Sequence, residues 1–194
     1  MIGPALTPEV VLIAYRAGQF PMARSRGGPI HWYDPDPRGI LPLDAFHCPR
    51  RLARTVRQGV FEIRVDTAFE EVMRGCARRR ETWINEDIVS VYTELHRRGQ
   101  AHSIEAWKDG KLAGGLYGVA IGAAFMAESK FGGVRDASKV CVVALVERLR
   151  ERGFELLDVQ YWNSHIAQFG VVEVPREEYR RRLARAVART AAFR

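Results

Sequence analysis

Several things are missing from this 194-residue chain, and each absence narrows what it does. No apolar run reaches the length that crosses a bilayer, and Met1-Ile2-Gly3-Pro4-Ala5-Leu6 lacks the basic start and apolar centre of a signal peptide. Three widely spaced cysteines, Cys48, Cys76 and Cys141, contain no CxxC pair, so reduced thiols in a cytoplasmic protein are expected. The five histidines have no metal-ligand spacing to another His, Cys or acid, which argues against a metal site. No GxSxG or other nucleophile signature points to covalent catalysis. There are no internal repeats and no low-complexity stretches.

What is present is a core. At 47% apolar and 10% aromatic residues, the chain buries a proper interior and is not disordered. Its net charge is +7, and 26 of its 30 basic residues are arginines, leaving only Lys108, Lys111, Lys130 and Lys139. A GC-rich genome accounts for much of that ratio, but not for the clustering. Arg50, Arg54 and Arg57 fall on one helical face in a stretch with no acid, and Arg181, Arg185 and Arg189 fall on another. The second stripe has acids at helical spacing (Glu177–Arg181, Glu178–Arg182) and reads as a solvated face. The first has none and suits phosphate, since a guanidinium fork donates two hydrogen bonds at once. Together they point to an acidic polymer, most simply RNA.

Along the chain, Thr7-Pro8-Glu9 predicts a helix start, with Gly18 as its stop. Residues 20–38 are rich in Pro, Gly and aromatics and read as an irregular, side-chain-packed excursion. A basic helix is expected near 49–58, a strand at 61–65, a helix capped by Asp66 and another capped by Asn85. Strands at 102–107, 112–120 and 123–129 form a meander whose first turn is Lys108-Asp109-Gly110-Lys111. Asp136 is expected to cap a long helix ending at Gly153. A strand at 155–160, a short helix near 164–169, a strand at 171–174 and a helix from Pro175 complete the order. The fold class expected is α+β: a mixed, largely antiparallel sheet with flanking helices, like the acyl-CoA N-acyltransferases. A small irregular N-terminal subdomain (1–58) precedes a catalytic domain (59–194).

The strongest chemical lead lies at two strand ends. Asp158 and Gln160 are two apart and share a sheet face, and Glu128 ends another apolar run. Three such groups together are expensive to bury for stability alone. An acyl-CoA cofactor fits poorly. Gly132 and Gly133 precede the turn, and anionic Asp136 stands where a diphosphate would bind.

Taken together, Leu6-Thr7-Pro8, Ala14-Tyr15-Arg16-Ala17-Gly18, Phe20-Pro21 and Asp34-Pro35-Asp36-Pro37-Arg38 resemble the leucyl/phenylalanyl-tRNA–protein transferases. So do Thr82-Trp83-Ile84, 99–105, 114–120, Glu128-Ser129, Ala137-Ser138-Lys139 and Asp158-Val159-Gln160. The resemblance implies a cofactor-free bacterial enzyme, cytoplasmic and monomeric. It would move Leu or Phe from charged tRNA to the N-terminal Lys or Arg of a protein, for N-degron degradation. By position it implies Asp158 and Gln160 as the catalytic pair and Glu128 as an active-site carboxylate. Trp83 would contact the terminal adenosine, and Ser129, Leu116, Phe125, Leu145, Leu149 and Leu157 would form the amino-acid site. Arg50, Arg54, Arg57 and Lys139 would contact RNA. Aminolysis of an activated ester needs little acid–base help, so Gln160 is expected to orient the amine, fixed by Asp158, while Glu128 binds its ammonium or takes its proton.

The chain departs from the family's pattern in places. A leading segment of some two to three dozen residues is expected to be missing. Met22 stands for a Trp, His31 for an aromatic, Lys130 for a Met, Leu145 and Leu149 for aromatics, and Gly132-Gly133 for a polar pair. Two alternatives therefore stand beside the main reading: a catalytically inactive RNA-binding protein of this fold, and a transferase with altered donor or acceptor.

Overall fold

The computed structural model describes residues 6–194; Met1–Ala5, on which part of the leader expectation rests, lie outside them. Helix α1 (Pro8–Arg16) starts on Thr7, whose hydroxyl accepts from Val10 N, and ends before Gly18, whose φ is +85°. A hairpin of β1 (Phe20–Ala23) and β2 (Ile30–Tyr33) follows, then β3 (Arg38–Ile40) and α2 (Arg50–Arg57). Next come β4 (Glu62–Val65), α3 (Phe69–Ala77) and α4 (Glu86–Arg97), the last capped by Asn85 Oδ1 on Ile88 N at 3.0 Å. The meander is β5 (Ala101–Lys108), β6 (Lys111–Ile121) and β7 (Ala124–Gly132). It is followed by α5 (Ala137–Glu151), β8 (Leu156–Gln160), α6 (Ser164–Ala167), β9 (Val172–Val174) and α7 (Arg176–Val187). At the β5–β6 turn, Asp109 (φ 50°) and Gly110 (φ 70°) are both left-handed, the geometry an Asp-Gly hairpin supplies.

Seven strands form one sheet in the order β4-β5-β6-β7-β8-β3-β9, parallel only between β7 and β8, which α5 connects. Helices cover both faces, giving the mixed, largely antiparallel α+β architecture expected. One core layer holds Val11, Tyr15, Phe69, Val72, Tyr92, Tyr117, Met126 and Tyr179 under α1, α3, α4 and α7. The other holds Leu52, Leu116, Phe125, Leu145, Leu149 and Leu157 around α2 and α5.

Three local expectations fail for physical reasons. The irregular segment at 20–38 contains the β1–β2 hairpin, and β3 at its end is threaded between β8 and β9. The first 58 residues therefore contribute a strand to the main sheet across the division expected at 58/59. Asp66 does not cap α3. Its carboxylate instead meets His102 Nδ1 at 2.8 Å, Ser103 N at 2.9 Å and Arg194 Nε at 2.8 Å, which together hold it down to a pKa of about 2 against its desolvation. The free N–H groups before α3, on Thr67 and Ala68, go to buried Glu105 of β5 at 3.0 and 3.1 Å. Asp136 does precede α5, but makes no cap bond and pairs with Lys139 at 3.3 Å.

Candidate active site

Strands β7 and β8 are in register only for Ala124–Met126 against Leu156–Asp158. Beyond that point they separate, and a cavity of about 220 Å³ opens between them. Its floor is apolar (Leu116, Val142, Leu145, Leu157, Ile166, Phe169), and Met22, Trp83 and Tyr161 stand on its walls. Glu128, Ser129, Lys130 and Gln160 supply the polar wall, with Arg79 beside Lys130.

Glu128 owes its direction to a β-bulge. Tyr117 and Gly118 of β6 are consecutive, yet they face Ser129 and Ala127, leaving Glu128 as the extra residue. Met126 and Phe131 thus pack toward one core layer although five apart, which an uninterrupted strand forbids. Glycine at 118 permits the bulge, since a Cβ there would lie 2.4 Å from Met126 O.

Asp158 and Gln160 share the α1/α7 face of β8, while Leu157 and Val159 pack on the other. Asp158 is fully buried and does not line the cavity; it stands behind Gln160. Both its oxygens accept from Arg38, at 2.9 Å from Nε and 2.6 Å from NH2, and Tyr179 OH adds a bond at 2.8 Å. Asp158 Oδ1 also accepts from Gln160 N at 2.8 Å, holding that residue at φ +67°, a left-handed conformation that costs a side-chain-bearing residue about 1–2 kcal/mol. Gly39 lies opposite Gln160, and a Cβ there would come within 3.0 Å of Tyr161 C. So held, Gln160 Nε2 donates to Glu128 Oε1 at 2.8 Å.

Tyr15 OH donates to the same Oε1 at 2.5 Å and sits 2.5 Å from Tyr92 OH. Because the Tyr15 proton is committed to Glu128, Tyr92 must be the donor to Tyr15. Glu128 Oε2 is buried and has no hydrogen-bond partner among the described residues. Burial pushes Glu128 up to about pKa 8; nearby Asp158 adds to the rise, while Tyr15, Arg38 and Gln160 oppose it. Desolvation is the main cause, and the one fully buried guanidinium among the described residues pairs with Asp158 and not with Glu128.

Of the residues the sequence pointed to, Glu128, Gln160, Trp83, Ser129, Leu116, Leu145 and Leu157 line the cavity, and Asp158 supports it. Phe125 and Leu149 do not line it. Phe125 sits where β7 and β8 are still paired and stacks on Phe193 at 5.1 Å, and Leu149 lies one helical turn beyond Leu145 inside the core. Arg50, Arg54 and Arg57 are exposed on α2 and have no carboxylate partner among the described residues. Helix α2 packs on α5, which also supplies Val142 and Leu145 to the cavity. The α7 arginines, by contrast, are occupied: Arg181 pairs with Glu178, and Arg185 and Arg189 each reach Glu155 at 3.1 Å. Sequence reasoning overlooked Arg38, Tyr15, Tyr92 and Tyr179. The signal for Arg38 was present: an acid on the inner face of a buried strand needs a cation, and Asp34-Pro35-Asp36-Pro37-Arg38 supplied one.

Among solved structures, the chain is similar to an aminoglycoside acetyltransferase from an uncultured soil metagenomic sample, with 14% identity and a TM-score of 0.44 over 68% of this chain and 89% of that one. It is also similar to a ribosomal-protein-alanine N-acetyltransferase from Brucella melitensis biovar Abortus, with 15% identity and a TM-score of 0.39 over 56% and 84%. By sequence, a relative named leucyl/phenylalanyl-tRNA–protein transferase from Gloeobacter violaceus is 56% identical over 97% of this chain and 98% of its own length. One of the same name from Rubrobacter xylanophilus is 54% identical over the same shares. The family model described as leucyl/phenylalanyl-tRNA protein transferase matches residues 40–184, and that of its N-terminal domain matches 5–36. On these matches the chain belongs to the leucyl/phenylalanyl-tRNA–protein transferase family of aminoacyltransferases.

Proposed function

We propose that the chain transfers Leu or Phe from a charged tRNA to the N-terminal Lys or Arg of a protein, with the space between β7 and β8 as its active site. The observation that carries this is Glu128, a carboxylate pushed to about pKa 8 on the wall of an apolar cavity and held by Gln160. The amino-acid side chain fits the floor formed by Leu116, Leu145 and Leu157, with Trp83 beside the terminal adenosine. An α-amino group has a pKa of about 7.7–8.0, so a carboxyl near 8 matches it for proton exchange. Glu128 Oε2, buried and without a hydrogen-bond partner among the described residues, is the atom that receives the acceptor's ammonium or its proton. With its Nε2 committed to Glu128, Gln160 keeps its carbonyl oxygen for the amine and orients it toward the ester carbonyl. The C–N bond forms as the ester C–O bond breaks, and the proton Glu128 takes from the amine passes to the departing ribose oxygen, which leaves as a hydroxyl.

The tRNA itself is bound through the α2 arginines Arg50, Arg54 and Arg57, which have no acidic partner among the described residues, with Lys139 at the start of α5, itself paired with Asp136 at 3.3 Å. The product is a destabilised protein N-terminus in the N-degron pathway, made in the cytoplasm by a monomer that uses no cofactor. Among the described residues no helix is long and apolar enough to cross a membrane.

The test is transfer of labelled Leu and Phe from charged tRNA to peptides beginning Arg, Lys, Asp or Glu. Transfer to Arg or Lys that disappears in Asp158→Ala supports the reading; salt-sensitive tRNA binding without transfer from any donor favours the inactive RNA binder. Lys130 favours a second reading, altered specificity. It lines the cavity with Arg79, has no acidic partner among the described residues, and burial lowers its pKa. Lys130→Met that leaves amino-acid preference unchanged removes that alternative.

A further inference from the structure

We propose that Arg38 is a positioning residue for aminoacyl transfer: its guanidinium fixes Asp158 as the anchored anion of the site and leaves Glu128 as the carboxyl free to exchange a proton. This inference rests on the reading of the cavity as the transfer site.

Arg38 is the one fully buried arginine among the described residues. Four of its five N–H donors are engaged. Nε and NH2 take the two oxygens of Asp158, NH1 donates to Gly18 O at 2.9 Å, and NH2 also reaches Tyr179 OH at 3.2 Å. The ring of Phe20 lies 4.8 Å and that of Tyr179 4.4 Å from the guanidinium carbon, so aromatic faces flank the cation. Burial opposes the charge, but Asp158 more than compensates, and Arg38 is held above its ordinary pKa.

From this anchor a chain of bonds runs outward: Arg38 to Asp158, Asp158 Oδ1 to Gln160 N, and Gln160 Nε2 to Glu128 Oε1. Each link sets the next. Without the fork, Asp158 keeps only Tyr179 OH and Gln160 N as partners, its orientation loosens, and the amide of Gln160 drifts from Glu128. A displacement of about 1 Å at such a group costs roughly 100-fold in rate. Arg38 touches neither the cavity nor any group that exchanges bonds, so its action passes through Asp158. Lysine cannot replace the fork, since an ammonium cannot bind both oxygens in one plane.

The experiment combines single-turnover kinetics with carbon-13 NMR titration of protein labelled at its Glu side-chain carboxyls, on Arg38→Lys, Arg38→Met and Tyr179→Phe. Removing a cation beside two carboxylates moves the higher of their titrations up, so the Glu128 midpoint rises in Arg38→Met and stays near its original place in Tyr179→Phe. Arg38→Lys keeps the charge and the midpoint but loses the fork; its kcat falls about 10- to 100-fold with KM nearly unchanged. Tyr179→Phe lowers kcat by about 3- to 10-fold for the loss of one bond to Asp158. If Arg38→Met does not fold, the other two variants still decide. Arg38→Lys with wild-type kcat, or a folded Arg38→Met with an unmoved Glu128 midpoint, overturns the proposal. The titration does not depend on turnover, so the two failures separate. If the midpoint moves while Glu128→Gln retains full transfer, the reading of the site fails, not the electrostatic role of Arg38.

Discussion

Gln160 and Glu128 come from strands already parting, and their side chains close the gap: Gln160 Nε2 lies 2.8 Å from Glu128 Oε1 at the point where β7 and β8 stop pairing. The amide sets the direction of the acid, and neither strand alone could place them. Gln160→Glu puts a third carboxyl beside two others and removes the donor to Oε1. Its expected outcome is a loss of transfer of at least about 100-fold with the fold retained, measured as kcat alongside circular dichroism. Gln160→Ala, which leaves Glu128 free to turn, is expected to lose about 10- to 100-fold.

Stability carries the mark of Glu128. Its carboxyl has a pKa of about 8 when folded against an ordinary 4.5, so the folded chain binds that proton more tightly than the unfolded chain does. Its stabilising contribution is complete below about pH 4.5 and is lost as pH rises toward and through about 8. Glu128→Gln removes the dependence. The variant is expected to be more stable than the wild type by a few kcal/mol at about pH 8, with the difference shrinking toward about pH 5; thermal unfolding across that range checks it.

Asp158→Asn strands the Arg38 charge in the interior, a loss of about 3–5 kcal/mol for a broken buried pair. The melting temperature is expected to fall by about 10 °C. Replacing both partners by apolar residues of similar size, Arg38→Met with Asp158→Leu, should restore much of that stability and none of the transfer. The double-mutant cycle separates the fold's need for the pair from the reaction's.

Two arginine stripes that look alike in the sequence differ in the folded chain, and RNA binding should tell them apart. Arg50, Arg54 and Arg57 have no acidic partner among the described residues, whereas Arg181, Arg185 and Arg189 are held by Glu178 and Glu155. Changing each α2 arginine to Gln is expected to weaken tRNA binding and lower the slope of log affinity against log salt by about 1. The same changes on α7 should leave that slope nearly unaltered.

The sequence was most legible where local chemistry decides. The Asp109-Gly110 hairpin, the Thr7 and Asn85 caps and the turn at Gly153 all stand where the residues pointed. Asp158, Gln160 and Glu128 could be singled out because buried polar groups at strand ends are costly. What was not legible depends on distant partners. Three-residue β3 is a strand only because β8 and β9 flank it. Asp66 turned from a helix end because His102 and Arg194 arrive from 36 and 128 residues away. The bulge that directs Glu128 is set by the register between β6 and β7. Phe125 and Leu149 were placed at the amino-acid site by the resemblance; nothing local in the sequence says where β7 and β8 begin to part, or which turn of α5 reaches the gap.

The proposed exchange of the acceptor's proton by Glu128 during transfer has a direct kinetic readout. The most direct test is the single-turnover rate of Leu transfer from charged tRNA to a peptide with an aminooxy N-terminus, uncharged from about pH 6 to about pH 9, so that only the enzyme titrates. The expected wild-type rate rises with pH and levels off near the Glu128 midpoint of about 8, and the expected Glu128→Gln rate is flat and at least about 100-fold lower. A wild-type rate independent of pH, or a Glu128→Gln variant as fast as the wild type, would contradict the exchange.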